Sequence, residues 1–232
     1  MRTQQTPRQK YILELSQRAL AGHPQAAALQ FAQSTASALR AGMAISEHEG
    51  QLIRSLLKPL RLSSFVEVGT FTGFSALWIL EALGAQGVLW TYELDPKHFE
   101  AAKQTFSKAG ELVIDNGDQV DFVIDRKRII MTLGDAREKL QTLKSPIDGI
   151  FIDANKAAYG DYLTWAEQTM PKGGVVIADN VFLFGAVYGE GEMSEKQIQV
   201  MRDLNTRLTD PNLYCGQILP TEEGILFSTK LF

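Results

Sequence analysis

From Arg8 to about Leu60, apolar residues recur at spacings of roughly three to four. They are Tyr11, Leu15, Leu20, Leu29, Phe31 and Leu39, then Leu52, Ile53, Leu56 and Leu57. One buried face of a helix requires that spacing. Ser46-Glu47-His48-Glu49 is a capping box: the serine oxygen takes a free amide of the first turn and the glutamate reaches back. It predicts a helix that starts after Ser46 and stops near Pro59. The period then shortens. Phe65-Val66-Glu67-Val68 is a β-prone run, followed by the turn Gly69-Thr70-Phe71-Thr72-Gly73 and a helical pattern from Phe74 to Leu83. Val88 to Tyr92 predicts a second strand, and Asp95-Pro96 opens a helix as N-cap and first-position proline, to about Lys108.

Arg128 to Leu133 reads as a third strand, with Gly134-Asp135 starting another helix. Gly149-Ile150-Phe151-Ile152 is a fourth strand, apolar on both faces as a central parallel strand is. A helix from about Ala158 to Met170 follows, then a fifth strand, Val175 to Ala178. Alternating strands and helices predict a doubly wound, Rossmann-like α/β sheet. Tyr214 to Leu219 and Ile225 to Thr229 flank a loop too short for a crossover helix, so this pair is expected to be an antiparallel hairpin. The expectation is a seven-stranded, mostly parallel sheet with an antiparallel carboxyl-terminal hairpin, plus amino-terminal helices. It is read as one domain over 1–232, with a helical cap at 1–60 and a Rossmann-like core at 61–232. A hairpin at that end separates methyltransferases from dehydrogenases.

Composition narrows the classes. The 232 residues carry a formal net charge of −4, whereas a nucleic-acid binder normally has a basic excess. No nucleic-acid partner is expected. A single cysteine, Cys215, excludes an internal disulfide. The polar start, Met1 to Lys10, has no apolar stretch of signal-peptide type, and no apolar run approaches the roughly 18–20 residues that cross a bilayer. The expectation is a cytoplasmic protein without a membrane partner.

The ends of the strands carry the candidate chemistry, because open parallel sheets bind ligands there. Gly69 to Gly73 sits where a first strand gives way to a helix whose amino terminus offers free amides. Glu93 ends the second strand, twenty residues after Gly73, where a carboxylate can accept both ribose hydroxyls. Asp135-Ala136 follows the third strand and could frame a purine. Each alone is equally a turn or a helix cap; the three in order point to an adenosine ligand, and leave a methyl donor and a nicotinamide both open.

Asp153 follows the fourth strand and Asp179-Asn180 the fifth. Neighbouring parallel strands lie about 5 Å apart, so these side chains can converge. Two carboxylates and an amide oxygen form a hard donor set for Mg²⁺, Mn²⁺ or Ca²⁺ rather than zinc, and His23, His48 and His98 fall in helical or polar segments elsewhere. Lys156, three residues past Asp153, is a candidate general base if a neighbouring divalent ion lowers its pKa.

Taken together, Met43 to Gly50, Glu67 to Ser75, Tyr92 to Asp95, Phe151 to Lys156 with Tyr159, and Gly173-Gly174 to Val181 resemble the cation-dependent O-methyltransferases of the caffeoyl-CoA and catechol type, from about Tyr11 to Lys230. The resemblance implies S-adenosylmethionine as methyl donor, a divalent cation, a small hydroxylated aromatic acceptor and a homodimer. It implies that Met43 and Ile45 line the donor site through backbone and that Glu67, Gly69, Thr70 and Ser75 hold the methionine end. Glu93 would take the ribose, Asp135 and Ala136 the adenine, Asp153, Asp179 and Asn180 the metal, and Lys156 the proton. Asn155 stands where many members carry aspartate, and Leu183-Phe184 where plant members have tryptophan and an acceptor-contacting asparagine, which argues against a coenzyme A-linked acceptor. Glu111 to Lys127 is longer than the family's usual loop. The alternative reading is an NAD(P)-dependent oxidoreductase, which explains neither the hairpin nor the metal trio.

Overall fold

The computed structural model describes residues 6–232. Met1 to Gln5, part of the polar start, lie outside the described residues. The chain forms two compact units, one of residues up to Ser63 with Thr70–Gly134, the other of Ser64–Gly69 with Asp135–Phe232.

In the first unit, three helices come first: α1 Pro7–Ala21, α2 Ala26–Arg40 and α3 Glu47–Leu57. The capping box forms as expected. Ser46 Oγ accepts from the Glu49 amide at 3.3 Å, and Glu49 Oε2 accepts from the Ser46 amide at 2.8 Å. A 3₁₀ turn, Lys58–Leu60, carries Pro59 and ends at Arg61, whose φ of 52° is left-handed. Helix α4, Phe74–Ala82, is buried on nearly every side, consistent with its almost wholly apolar sequence. Strand β2 is Val88–Glu93, and α5, Pro96–Ala109, starts at Asp95, whose carboxylate accepts from the Lys97 amide at 2.7 Å.

The segment from Glu111 to Lys127 is not a loop. It forms an antiparallel pair, β3 Glu111–Asp115 and β4 Gln119–Ile124, and β4 pairs in turn with β5, Lys127–Leu133. The strand order in this unit is β3-β4-β5-β2, with β2 and β5 parallel. Alternation in Val120, Phe122 and Ile124, all buried, marks β4 as a strand with one face inward. Nine strands thus form among the described residues, where seven were expected.

In the second unit, β1 Ser64–Val68, β6 Gly149–Ile152 and β7 Val175–Ala178 run parallel and every residue in them is buried. Strands β8 Tyr214–Leu219 and β9 Ile225–Lys230 form the expected hairpin, and β9 pairs antiparallel with β7, giving the order β1-β6-β7-β9-β8. The helix expected after Asp135 is short, α6 Ala136–Lys139, before a 3₁₀ turn. Helix α7, Tyr159–Thr169, links β6 to β7. Helix α8, Glu195–Leu208, was not anticipated; it buries Met201, Leu204 and Leu208 at helical spacing behind a Ser194 cap. Among the described residues no helix is long and apolar enough to cross a membrane.

Candidate active site

The tips of three parallel strands define the candidate site in the second unit. The Asp153 amide donates to Val68 O at 2.9 Å and the Asp179 amide to Ile152 O at 3.0 Å, so β1, β6 and β7 end level with one another. Gly69 follows β1 with a φ of +99°, and a Cβ there would lie 1.9 Å from Asp153 O. Only glycine lets the backbone pass so close in that left-handed region. Glu67, one residue from the end of β1, is wholly buried beside Phe151 of β6.

Asp153 lies directly beyond β6 and Asp179 directly beyond β7, one register step past the paired Ile152 and Ala178. Asp179 is buried and Asp153 half-buried. Asn180 has a φ of 56°, a left-handed conformation that asparagine tolerates better than most residues. The donor set is all oxygen, which fits a hard divalent cation. No group of three or more His, Cys, Asp or Glu that could hold a metal ion occurs among the described residues.

Lys156 closes the group. Its Nζ donates to Asp153 Oδ1 at 2.9 Å and to the Tyr159 hydroxyl at 2.7 Å. The Tyr159 hydroxyl donates to Asp179 O at 3.0 Å. Burial pushes the lysine pKa down, but Tyr159, Asp153 and Asp179 together outweigh it and the net direction is upward. Between those carboxylates alone Lys156 therefore stays an ammonium, and the lowering expected from the sequence requires a cation to neutralise them. Asn155 does not point to a ligand role: its Oδ1 accepts from the Ala157 amide at 3.1 Å and caps the turn that carries Lys156.

Beyond Asn180 the chain takes a strained path. Leu183 and Phe184 have φ of 50° and 54°, and Phe184 is 54% exposed. The tip of the β8–β9 hairpin holds this segment, because the Phe182 amide donates to Glu223 O at 3.0 Å and the Phe184 amide to Glu223 Oε2 at 3.1 Å. No local pattern around Glu223 could have announced that role. Asp135, expected at the adenine, is engaged locally: it accepts from the Arg137 amide at 2.9 Å and pairs with that guanidinium at 2.6 Å. This pairing holds its carboxyl below the usual carboxylate range. Ala136 is buried as the first residue of α6.

In the first unit, the end of β2 gathers the other candidates. Glu93 is buried and its two oxygens each accept one amide, Oε2 from Phe71 at 2.7 Å and Oε1 from Asp95 at 2.9 Å. A carboxylate has about four acceptor positions, so capacity remains for hydroxyl donors. Thr70 and Thr91 share a buried hydroxyl–hydroxyl bond of 2.6 Å. His98, set aside in the sequence reading, lies with Nδ1 3.6 Å from Glu93 Oε1 and its ring edge-on to Phe71. Its position in the first turn of α5 was the available signal. Thr72 is wholly buried in the same turn, and its hydroxyl has no hydrogen-bond partner among the described residues. Ser75 lies in the first turn of α4. Ile45 is buried with its carbonyl accepting from Gln33 at 3.1 Å, while Met43 is exposed.

Residues 21–231 match the profile of a family described as O-methyltransferase. A catechol O-methyltransferase of Niastella koreensis is 30% identical over 192 residues, which is 82% of this chain and 80% of the relative. A catechol O-methyltransferase of Mycobacterium tuberculosis is 32% identical over 174 residues, 75% of this chain and 72% of the relative. Among solved structures, the O-methyltransferase TomG of Streptomyces achromogenes, involved in tomaymycin synthesis and crystallised with SAM, superposes with a TM-score of 0.73 at 26% identity. That match covers 88% of this chain and 90% of TomG.

Proposed function

The chain belongs to the O-methyltransferase family of S-adenosylmethionine-dependent enzymes, and from that premise we propose that its acceptor is a small catechol-like aromatic and that a divalent cation assists the transfer. The observation that carries this reading is the linked group Asp153, Lys156, Tyr159 and Asp179 at the ends of β6 and β7. The names of the two curated relatives support the choice of acceptor. The nicotinamide oxidoreductase alternative is not favoured, since the antiparallel hairpin and the family match both speak for methyl transfer.

In this reading Asp153, Asp179 and Asn180 hold the cation. A divalent ion there supplies Lewis acidity that favours the ionised form of the acceptor hydroxyl, and a phenol starting near 10 needs less help than water. Lys156, neutral once its carboxylate neighbours are compensated, takes the hydroxyl proton on Nζ. The new bond forms between that oxygen and the methyl carbon as the carbon–sulfur bond of the sulfonium breaks. Charges of opposite sign partly cancel along that path, so the chain contributes chiefly alignment, worth up to ~7–11 kcal/mol in favourable cases. Glu93 accepts the ribose hydroxyls, Asp135 and Ala136 flank the adenine, and Glu67, Gly69, Thr70 and Ser75 hold the methionine end, with Met43 and Ile45 contributing backbone.

The test is turnover of a catechol panel with S-adenosylmethionine and Mg²⁺, with and without chelator, beside the Asp153→Ala protein. The expected outcome is loss of turnover in chelator and in Asp153→Ala, with donor affinity by calorimetry largely retained. Undiminished turnover in chelator would exclude the metal role.

A further inference from the structure

Tyr159 has no exposed surface, yet its hydroxyl makes two hydrogen bonds. A phenol has one proton to give. Here it goes to the Asp179 carbonyl, which can only accept, so the oxygen turns its lone pairs toward Lys156. The direction of both bonds is thus fixed. A packing role alone would be met by phenylalanine, without the cost of taking a hydroxyl out of water. The lysine ammonium has three hydrogens on a flexible four-carbon stem. One is directed to Asp153 Oδ1 at 2.9 Å and one to Tyr159 at 2.7 Å; in the neutral amine the third is replaced by the lone pair, which is left free to receive the acceptor proton. The spacing 153, 156, 159 follows from the local fold: Asn155 caps the 3₁₀ turn Lys156–Ala158, and Tyr159 opens α7 directly behind it.

We propose that Tyr159 is a positioning residue, whose hydroxyl, held by the Asp179 carbonyl at the tip of β7, aims Lys156 Nζ at the acceptor proton. The proposal rests on Lys156 being the base, and the experiment separates the two. Tyr159→Phe keeps the ring and removes only the oxygen. Misplacing a reacting group by about 1 Å can cost ~10²-fold in rate, so kcat is expected to fall ~10- to 100-fold while both KM values stay unchanged. A second readout uses the protein alone, without donor, acceptor or metal. In a ¹H–¹⁵N spectrum of lysine ammonium groups, the Lys156 signal is identified by its disappearance in Lys156→Met. It is expected to be protected in the wild type and lost to solvent exchange in Tyr159→Phe, while backbone amide signals persist. If Tyr159→Phe fails to fold, 3-fluorotyrosine labelling of the wild type takes its place: the Tyr159 fluorine resonance should move in Lys156→Met. A resonance that does not move overturns the proposal. So does wild-type kcat in Tyr159→Phe while Lys156→Met is inactive, which leaves the base reading standing. Full turnover in Lys156→Met removes the base reading and the proposal with it.

Discussion

At the scale of single residues, the site depends on backbone passing where side chains cannot. Gly69 combines a left-handed φ with a carbonyl of Asp153 where a Cβ would sit. Gly69→Ala must carry the strain of that conformation, about 1–3 kcal/mol for a non-glycine residue, and must also push β1 away from β6. A urea midpoint lowered by at least that strain is expected, and an unchanged midpoint would show that the close approach is dispensable. Residue types singled out Asp153, Lys156, Asp179 and Asn180, and the structure links the first three through hydrogen bonds that run by way of Tyr159. They did not announce His98 beside Glu93 or the Thr70–Thr91 bond, since those contacts join segments 5 and 21 residues apart through a turn whose path only the fold defines. Tyr159 belongs to the motif that carries Lys156, and its spacing from that lysine was the signal; its partner, the Asp179 backbone carbonyl just beyond β7, had no local signal.

Elements formed where short-range signals agreed. The Ser46–Glu49 box could be read directly, because a capping box needs only residues three apart. Ser46→Ala should cost ~1 kcal/mol in urea denaturation with an unaltered m-value, and Ser46→Thr, which keeps a hydroxyl to donate to Glu49 Oε2, should recover most of it; equal stability of all three proteins would count against the cap. Hairpin β8–β9 was equally legible from its short loop. Hairpin β3–β4 was not, although Val120, Phe122 and Ile124 alternate, because β3 is exposed along its whole length and its Leu-Val-Ile centre lacks a polar alternation. Nor was α8 read, despite Ser194 and the Met201, Leu204, Leu208 spacing, because the polar residues between them outnumber the apolar stripe.

Across the molecule, distant segments are tied by charge as well as by apolar contact. Glu81 of α4 binds Arg54 of α3 at 2.6 Å and also His23, which follows α1 and lies edge-on to Trp78. Burial raises the Glu81 pKa, but Arg54 and His23 outweigh it and the net direction is downward from the ordinary 4.5. A carboxylate depressed in the folded state adds stability above its unfolded value and loses it as pH falls through the folded one. Urea midpoints of wild type and Glu81→Gln should therefore differ most near neutrality and converge as pH drops below about 4.5. A gap that persists undiminished into acid would show that the carboxylate's charge is not what stabilises.

The sequence by itself determined the alternation of strands and helices, the caps, the terminal hairpin and the chemical kinds gathered at strand ends. Those depend on residues within a few positions of one another, whose periodicity and turn chemistry act before the chain folds back. Only the tertiary structure decided that β9 inserts beside β7, that Asp153 and Asp179 end level, and that a buried phenol joins the lysine to the second of those strands. Hydrogen bonds across 20 or more residues cost loop-closure entropy that no local pattern encodes, and they form only once burial of the surrounding strands has brought their partners together.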